Sequence, residues 1–306
     1  MDTLPTGSSL HPRFAIGVQS KNGPHGTDPY FEELLTGMEE ALDQHGATVI
    51  LRQFSSYQDE LDSYPRWAES GDVDAVVVVD SQENDSRAGL CLELGLPVVV
   101  LGGPSTPGVS LVDVDNSGAM EMAVDFLAGL GHITVGRVSG PAHLHHTKAR
   151  SLAFDRALAR RAINGFSVEG DYSAASGAAQ TRQILTAANP PTAIVYDNSI
   201  MALAALSAAR DLGIDVPADV SLLAWDDGPH CRLSDPPFSV VSLDVYELGR
   251  IVAEVLMQTY SGALQTVVHV PTAHIIQRGS TAAWPSTGDD PGPVLGWAPR
   301  PFVREG

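Results

Sequence analysis

Residues 112–139, VDVDNSGAMEMAVDFLAGLGHITVGRVS, predict the fold, because they combine a strand, a helix and a second strand in succession. Asp115 stands where the helix needs an N-cap, and Gly131 ends it. The apolar residues that recur at helical spacing between them are Ala119, Met122, Ala123, Phe126, Leu127 and Leu130. Such a unit predicts parallel strands with the helix on one face of the sheet.

The same alternation of strands and helices extends in both directions from this stretch. The Val-rich run DAVVVVD (74–80) indicates a parallel strand covered on both faces. The amphipathic run DPYFEELLTGMEEALDQHG (28–46) indicates a helix. The pattern predicts about ten strands, which is more than a single sheet usually contains. We therefore predict an α/β fold with two Rossmann-like lobes, each a parallel sheet with helices on both faces.

The predicted boundaries divide the chain into four parts. They are an irregular N-terminal lead (1–12), an N-terminal lobe (13–114 plus 243–264), a C-terminal lobe (115–242 plus 265–280) and a tail (281–306). The tail contains five Pro and four Gly, which predicts a non-regular extension.

The composition limits the class of protein. The net charge of −19 argues against direct DNA binding, since nucleic-acid affinity comes mostly from Lys and Arg at phosphates. The longest apolar runs fall far short of the ~20 residues that span a bilayer. The N-terminus lacks the basic and apolar regions of a signal peptide, and Cys91 and Cys231 have no metal-type spacing. We expect a cytoplasmic protein with two reduced thiols, no membrane contact and no cofactor.

Two carboxylates follow a predicted buried strand in SLLAWDDGPH (221–230), where burying a charge without a partner costs free energy. Asp226 and Asp227 could be a catalytic pair, a metal site, a helix cap or part of a binding pocket. Ligands of parallel sheets bind beyond the carboxyl ends of the strands, which favours a pocket for Asp226. For Asp227 we predict a cap on the following turn.

The sequence supports a catalytic or metal-binding site less well than a ligand-binding pocket. The sequence has no G-x-S-x-G, H-E-x-x-H or P-loop motif, which disfavours an enzyme. His143, His145 and His146 lack an acidic or Cys partner nearby, so a solvated loop is the better interpretation than a metal site. For Asp113 and Asp115, which form a D-x-D pattern, capping by Asp115 is the better account.

The ordered set of motifs resembles the LacI/GalR family of bacterial regulators over about residues 13–280. The matching runs are DPYFEELLTGMEEAL, VDVDNSGAMEMAVDFLAGLGHITVGRVSGP, KARSLAFDRAL, VEGDYSAASG, PPTAIVYDNSIMALAALSAARDLGIDVPADVSLLAWDDGP and DPPFSVVSLDVYELGRIVAEVL. The resemblance implies a type I periplasmic-binding-protein-like fold, a small-molecule effector between the lobes and a homodimer.

The resemblance also implies the ligand-binding residues. They are Arg150, Asp226, Asn198, Tyr172, Tyr30, Phe31 and Asp28. The sequence departs from the family pattern at Ala153, where a glycine is usual, and at Ser199, where an aspartate is usual. Gly102 stands near the aspartate of some sugar-responsive members, so their sugar pose cannot be copied unchanged. Arginine donors, a carboxylate and an amide suit a sugar, a polyol, a nucleoside or a purine, although Arg150 and Asp226 could also simply pair with each other.

The leading hypothesis is the effector-binding and dimerisation core of a LacI-type regulator. Members of the family normally begin with a helix-turn-helix of about 60 residues, whereas about a dozen irregular residues precede the first strand here. We therefore expect DNA binding through a helix-turn-helix domain outside this sequence. The alternative is a sugar-binding protein of a transport system, which shares the fold, and an enzyme acting on the ligand comes third.

Overall fold

The computed structural model describes residues 11–19 and 28–285, which divide into two compact units. The first unit takes the described residues up to Ala119, Ala142–Arg150 and Leu243–Ala273. The second takes Met120–Pro141, Ser151–Ser242 and the described residues from His274 onward.

Twelve strands and ten helices alternate along the described chain. The strands are β1 (Arg13–Gln19), β2 (Thr48–Phe54), β3 (Ala75–Val78), β4 (Val98–Leu101), β5 (Ser110–Asp113), β6 (Thr134–Ser139), β7 (Asn164–Glu169), β8 (Ala193–Tyr196), β9 (Ser221–Trp225), β10 (Ser239–Ser242), β11 (Val267–His269) and β12 (His274–Ile276). The helices are α1 (Pro29–Asp43), α2 (Tyr57–Leu61), α3 (Ser63–Ser70), α4 (Arg87–Glu93), α5 (Asn116–Gly129), α6 (His145–Arg161), α7 (Ala174–Leu185), α8 (Ser199–Asp211), α9 (Pro229–Leu233) and α10 (Val245–Tyr260).

Each unit is built on one six-stranded sheet, which confirms the predicted α/β class. The first sheet has the order β11-β5-β4-β3-β1-β2 and all its strands are parallel. The second has the order β12-β10-β9-β8-β6-β7, with only β12 antiparallel to its neighbour. Because helices cover these sheets, the central strands are buried along their whole length, as in the Val-rich β3.

The core of the first unit includes an unusually close contact between α1 and α10. A Cβ on Gly37 would lie 2.0 Å from the carbonyl oxygen of Tyr246, and a Cβ on Gly249 would lie 2.1 Å from that of Leu34. The two glycines therefore let the helix backbones touch. On the apolar face of α1, Leu34 and Met38 are fully buried by this contact and the sheet.

Helix α5 begins as predicted, but its buried face is rotated from the predicted stripe. The Oδ1 atom of Asp115 accepts a hydrogen bond from the Gly118 backbone N–H at 2.7 Å, which confirms the cap. Met120 and Val124 are fully buried, whereas Met122 and Phe126 are half-buried. Met122 and Phe126 lie at the boundary between the buried and exposed faces of the helix. Because both side chains are apolar, periodicity alone cannot distinguish them from core residues.

The units differ from the predicted lobes in three places, the first being residues 115–119, which were predicted for the C-terminal lobe but belong to the first unit. Residues 265–273 were predicted to lie in the C-terminal lobe, yet β11 pairs with β5 and joins the first unit. Ala142–Arg150 also belongs to the first unit, although it lies within the segment predicted for the C-terminal lobe. A three-residue edge strand has too short a pattern to show which sheet it joins.

The start of the predicted tail, residues 281–285, has no regular secondary structure, as expected, and packs against the second unit. Thr281 is buried, and the backbone N–H of Trp284 donates to the carbonyl of Leu130 at 2.7 Å. The remainder of the tail and the N-terminal lead up to residue 10 lie outside the described residues. None of the described helices is long and apolar enough to cross a membrane.

Candidate functional site

Two of the predicted ligand-binding residues follow adjacent strands of the second sheet. β8 and β9 pair in parallel, with Val195 opposite Leu223. The same register places Asn198, beyond β8, at the level of Asp226, beyond β9. The carboxyl edge of a parallel sheet is where α/β proteins bind ligands. The structure therefore brings Asn198 and Asp226 to one edge, as the sequence indicated.

Asn198 is held from both ends of its amide. Its Oδ1 atom caps α8 by accepting from the Met201 N–H at 2.9 Å, and its Nδ2 atom donates to the Tyr172 carbonyl at 3.0 Å. The side chain is 7% exposed, so little of it faces solvent. Tyr172 itself has a left-handed backbone, with φ at +69°, and its ring lies against Gly140, where a Cβ would clash with it. Asn198 thus fixes the loop that carries Tyr172.

Asp226 is half-buried and has a left-handed backbone, with φ at +68°. Its N–H donates to the Val241 carbonyl at 3.0 Å, which extends the ladder between β9 and β10 by one step. A non-glycine residue in this conformation is uncommon, and such residues cluster at functional sites.

Asp227 has a different role from the predicted cap. Arg278 contacts it in a bidentate pair, with Nη1–Oδ1 at 2.7 Å and Nη2–Oδ2 at 2.8 Å, and Arg232 adds a contact at 3.1 Å. Gly228 is the N-cap of α9 and makes no side-chain cap bond. Burial opposes ionisation of Asp227, but the hydrogen bonds and charge of Arg278 outweigh it and lower the pKa of the carboxyl. The capping prediction was wrong because Arg278 is distant in sequence and its approach depends on the fold.

A buried ion pair beneath this edge was missed by sequence reasoning. Arg137 on β6 donates to Asp197 through Nε at 2.8 Å and through Nη2 at 2.6 Å, and neither side chain is exposed. Asp197 also accepts from the N–H of Gly140 at 3.2 Å, and Arg137 donates to Ser151 at 2.8 Å. The available signal was a charged residue inside an apolar strand, which at full burial needs a partner. The pair anchors the chain immediately before Asn198.

Ser199 and His230 form a second contact that the sequence did not reveal. The His230 Nε2 atom lies 2.8 Å from the Ser199 hydroxyl, which is buried at the start of α8. The contact joins the turn after β9 to the helix that follows β8.

In the first unit, Asp28, Tyr30 and Phe31 lie together at the start of α1. The Asp28 carboxylate caps the helix by accepting from the Tyr30 N–H at 3.0 Å. The two rings meet edge to face with their centroids 5.2 Å apart, and both side chains are half-buried. The cap fixes the helix start, so the two rings have a defined position on its first turn.

Arg150, which lies on α6, is the remaining predicted ligand-binding residue. Its Nε atom donates to the Asn116 side-chain oxygen at 2.8 Å, and the side chain is 9% exposed. Asn116 is the first residue of α5, so this hydrogen bond connects the N-terminal part of α6 to the start of another helix.

The remaining candidates of the sequence analysis are the histidines near the start of α6 and the two cysteines. His145 and His146 belong to the first turn of α6 and not to a loop. Within residues 11–19 and 28–285, no group of three or more His, Cys, Asp or Glu could hold a metal ion. Cys91 and Cys231 are free and buried, and burial raises the pKa of each thiol to about 12. Neither thiol has the low pKa of a reactive cysteine.

Fold and site together define a small-molecule-binding protein of the periplasmic-binding-protein type. The family described as "Periplasmic binding protein-like domain" matches residues 124–281. An HTH-type transcriptional regulator of Streptomyces limosus is 30% identical over 298 residues, covering 89% of this chain and 81% of the relative. The repressor CytR of Escherichia coli is 27% identical over 264 residues, covering 84% and 77%.

Solved structures agree with these relatives. A LacI family regulator from Bifidobacterium animalis subsp. lactis has a TM-score of 0.80 at 29% identity, covering 88% of this chain and 97% of that one. A complex of the regulator CelR with cellobiose also has a TM-score of 0.80, at 25% identity, covering 88% and 84%. The chain belongs to the LacI family of transcriptional regulators, and the described residues form its effector-binding core. These relatives are regulators, so they do not favour the transport-protein alternative.

Proposed function

We propose that the chain binds a sugar or a similar polyhydroxylated molecule as its effector. The proposed ligand contacts are Arg150, Asp226, Asn198, Tyr172, Tyr30, Phe31 and Asp28. One observation carries the proposal: Asn198 and Asp226 follow adjacent strands of one sheet, and Asn198 is fixed by its cap and by the Tyr172 carbonyl. Side chains fixed in this way lose little entropy when a ligand binds.

The chemistry of the residues supports this class of ligand. Arg150 supplies donors, Asp226 supplies acceptors and the Asn198 amide supplies both, which matches hydroxyl groups that donate and accept. Tyr30 and Tyr172 offer flat apolar faces for the C–H side of a sugar ring. The cellobiose complex of the CelR structure adds support from a relative of the same fold. A nucleoside or purine has the same needs and belongs in the test.

The effector regulates transcription in this proposal. The net charge of −19 disfavours direct contact of the effector-binding core with phosphates, so the proposal assigns DNA binding to a helix-turn-helix domain of the regulator. The regulator acts in the cytoplasm as a homodimer. The effector changes DNA affinity because it binds more tightly to one arrangement of the protein than to another.

A thermal-shift screen tests the proposal. The panel consists of mono- and disaccharides including cellobiose, polyols, nucleosides and purines. A ligand at 100 times its Kd stabilises the folded state by ~2.7 kcal/mol, so a true effector raises the melting temperature clearly. The stabilisation should disappear in Asp226→Asn and persist in Asp211→Asn, an exposed carboxylate in an ion pair with Arg182. A panel without a single stabilising compound contradicts the proposal.

A further inference from the structure

A cavity of about 480 Å³ in the first unit shares no residue with the proposed effector contacts. It lies beyond the carboxyl ends of β3 and β4, beside the turn that leads into α4 and the first turn of α6. Its volume is within the range of about 300–1,000 Å³ that is typical of small-molecule sites. The cavity is therefore large enough for a ligand of monosaccharide size.

The floor of the cavity is apolar and its rim is polar. Val78 and Val100, at the ends of the two strands, form part of the floor. Gln82, Asn84 and Ser105 are among the polar residues of the rim. An apolar surface with a few polar groups around it is the usual construction of a small-molecule site.

The hydroxyl of Ser81 is the strongest indication of a ligand. Ser81 lines the cavity and is 3% exposed. Its Oγ atom has no hydrogen-bond partner among residues 11–19 and 28–285. The Oγ atom is not among the fully enclosed side-chain atoms that lack a partner, so it is accessible from the cavity and can donate to and accept from a molecule bound there. A ligand hydroxyl in the cavity would make this hydrogen bond.

The wall that carries Ser81 is rigid before any ligand binds. Asp85 accepts the Gln82 N–H at 3.2 Å and binds the Arg87 guanidinium, with Nη2–Oδ2 at 2.6 Å. Arg87 in turn pairs with the fully buried Glu60 at 3.0 Å. On the opposite side, the backbone carbonyl oxygen of Ser81 accepts a hydrogen bond from the His145 N–H at 2.7 Å. A preformed wall avoids the entropic cost of ordering a loop around a ligand.

The charges around the cavity favour a neutral ligand. The Asp85 carboxylate is committed to Arg87, and Lys148 pairs with Glu83 at 2.9 Å. The other polar lining residues are hydroxyls, amides and the imidazoles of His143 and His145, and each of these groups can both donate and accept a hydrogen bond. We propose that this cavity is a second binding site, separate from the effector contacts, for a neutral polyhydroxylated molecule such as a monosaccharide or polyol.

Methyl NMR of the full chain tests this site in an Arg150→Ala background, where the proposed effector site is impaired. D-glucose, D-ribose, myo-inositol and glycerol are titrated to about 10 mM, at which a site with a Kd of about 1 mM is nine-tenths filled. At least one of them should shift the Val78 and Val100 methyl signals in a saturable manner. D-gluconate and D-glucose 6-phosphate serve as anionic counterparts and should shift them less.

Three variants connect such shifts to the cavity. Ser105→Trp, at an exposed rim position, should abolish them, whereas Ser261→Trp, at an exposed position of the same unit that does not line the cavity, should leave them unchanged. Ser81→Ala should weaken binding about threefold to tenfold without lowering the melting temperature, because its hydroxyl has no protein partner to lose. The proposal is wrong if no neutral compound shifts the valine signals, if the anions bind better, or if Ser105→Trp binds normally. These results test only the cavity, and the effector proposal is tested separately by the thermal-shift screen.

Discussion

Replacing Asp227 with alanine removes a carboxylate that holds two arginines in the second unit. Its partners are Arg278, in a bidentate contact, and Arg232, in a single contact at 3.1 Å. The Arg278 side chain is 19% exposed and that of Asp227 is 12% exposed, so the pair is largely shielded from water. In the variant, Arg278 keeps its hydrogen bond to the Phe238 carbonyl at 2.9 Å but loses its counter-charge.

The expected cost follows from these contacts. The Arg232 side chain is 52% exposed, so its contact with Asp227 contributes little. Loss of one partner from a fully buried ion pair costs about 3–5 kcal/mol, and loss of a hydrogen bond to a charged group costs about 1.5–3 kcal/mol. Because the Asp227–Arg278 pair is partly exposed, we expect Asp227→Ala to lower the free energy of unfolding by about 2–3 kcal/mol, within the range for a lost hydrogen bond to a charged group. At roughly 2–4 °C per kcal/mol, the melting temperature should fall by about 5–10 °C.

Thermal melts of Asp227→Ala, Arg278→Ala and the double variant measure this contribution. The double variant should cost less than the sum of the single ones, because the two residues share one interaction. The control is Asp211→Ala, whose exposed ion pair should be worth less than about 1 kcal/mol. A loss no larger for Asp227→Ala than for this control, or strict additivity in the cycle, would refute the reasoning.

The same pair should make stability depend on pH. The folded-state pKa of Asp227 is lowered, so its contribution is present above the unfolded value and is lost as the pH falls through the folded one. The difference in melting temperature between wild type and Asp227→Ala should therefore be constant above about pH 5 and narrow toward about pH 3. A difference that widens on acidification would contradict this sign.

Three further results are expected. Burial lowers the pKa of His132, so the free energy of unfolding of the wild type should fall as the pH drops below about 6.5. The free energy of unfolding of His132→Gln should fall less over the same range. Equal pH profiles for the two proteins would count against this prediction. Asn198→Ala should cost about 1 kcal/mol in denaturant unfolding through loss of the α8 cap, whereas Asn198→Asp should keep most of it, since a carboxylate can accept the same N–H. Light scattering should return twice the chain mass of 32.3 kDa, and a value near 32.3 kDa would argue against a homodimer.

Local patterns were sufficient to predict most of the fold. The helix at 116–129 has its cap, its stop and its apolar residues within one short stretch, so its start at Asp115 was predicted correctly. The Val-rich β3 was predicted from composition alone, because a strand covered on both faces needs apolar residues throughout. The assignment of β11 failed because pairing with β5 depends on where the chain returns after α10.

The site was predicted less completely than the fold. Position after a strand was enough to place Asn198 and Asp226 at one sheet edge. The partners of charged residues were not predictable, because Arg137 and Asp197 are 60 residues apart and Asp227 and Arg278 are 51 apart. Such pairs form when the topology brings strand ends together, and no local spacing encodes them. For the same reason the first-unit cavity around Ser81 had no signal in the sequence.

Isothermal titration calorimetry on Arg150 variants tests the effector proposal most directly, with the strongest ligand from the thermal-shift screen. We predict one bound ligand per wild-type chain at the effector site, loss of that binding in Arg150→Ala and little recovery in Arg150→Lys, which lacks the planar fork of donors. Arg182→Ala, which removes an arginine from an exposed ion pair, should bind like the wild type. If Arg150→Ala binds with unchanged affinity and stoichiometry, Arg150 is not an effector contact and the proposed site is wrong.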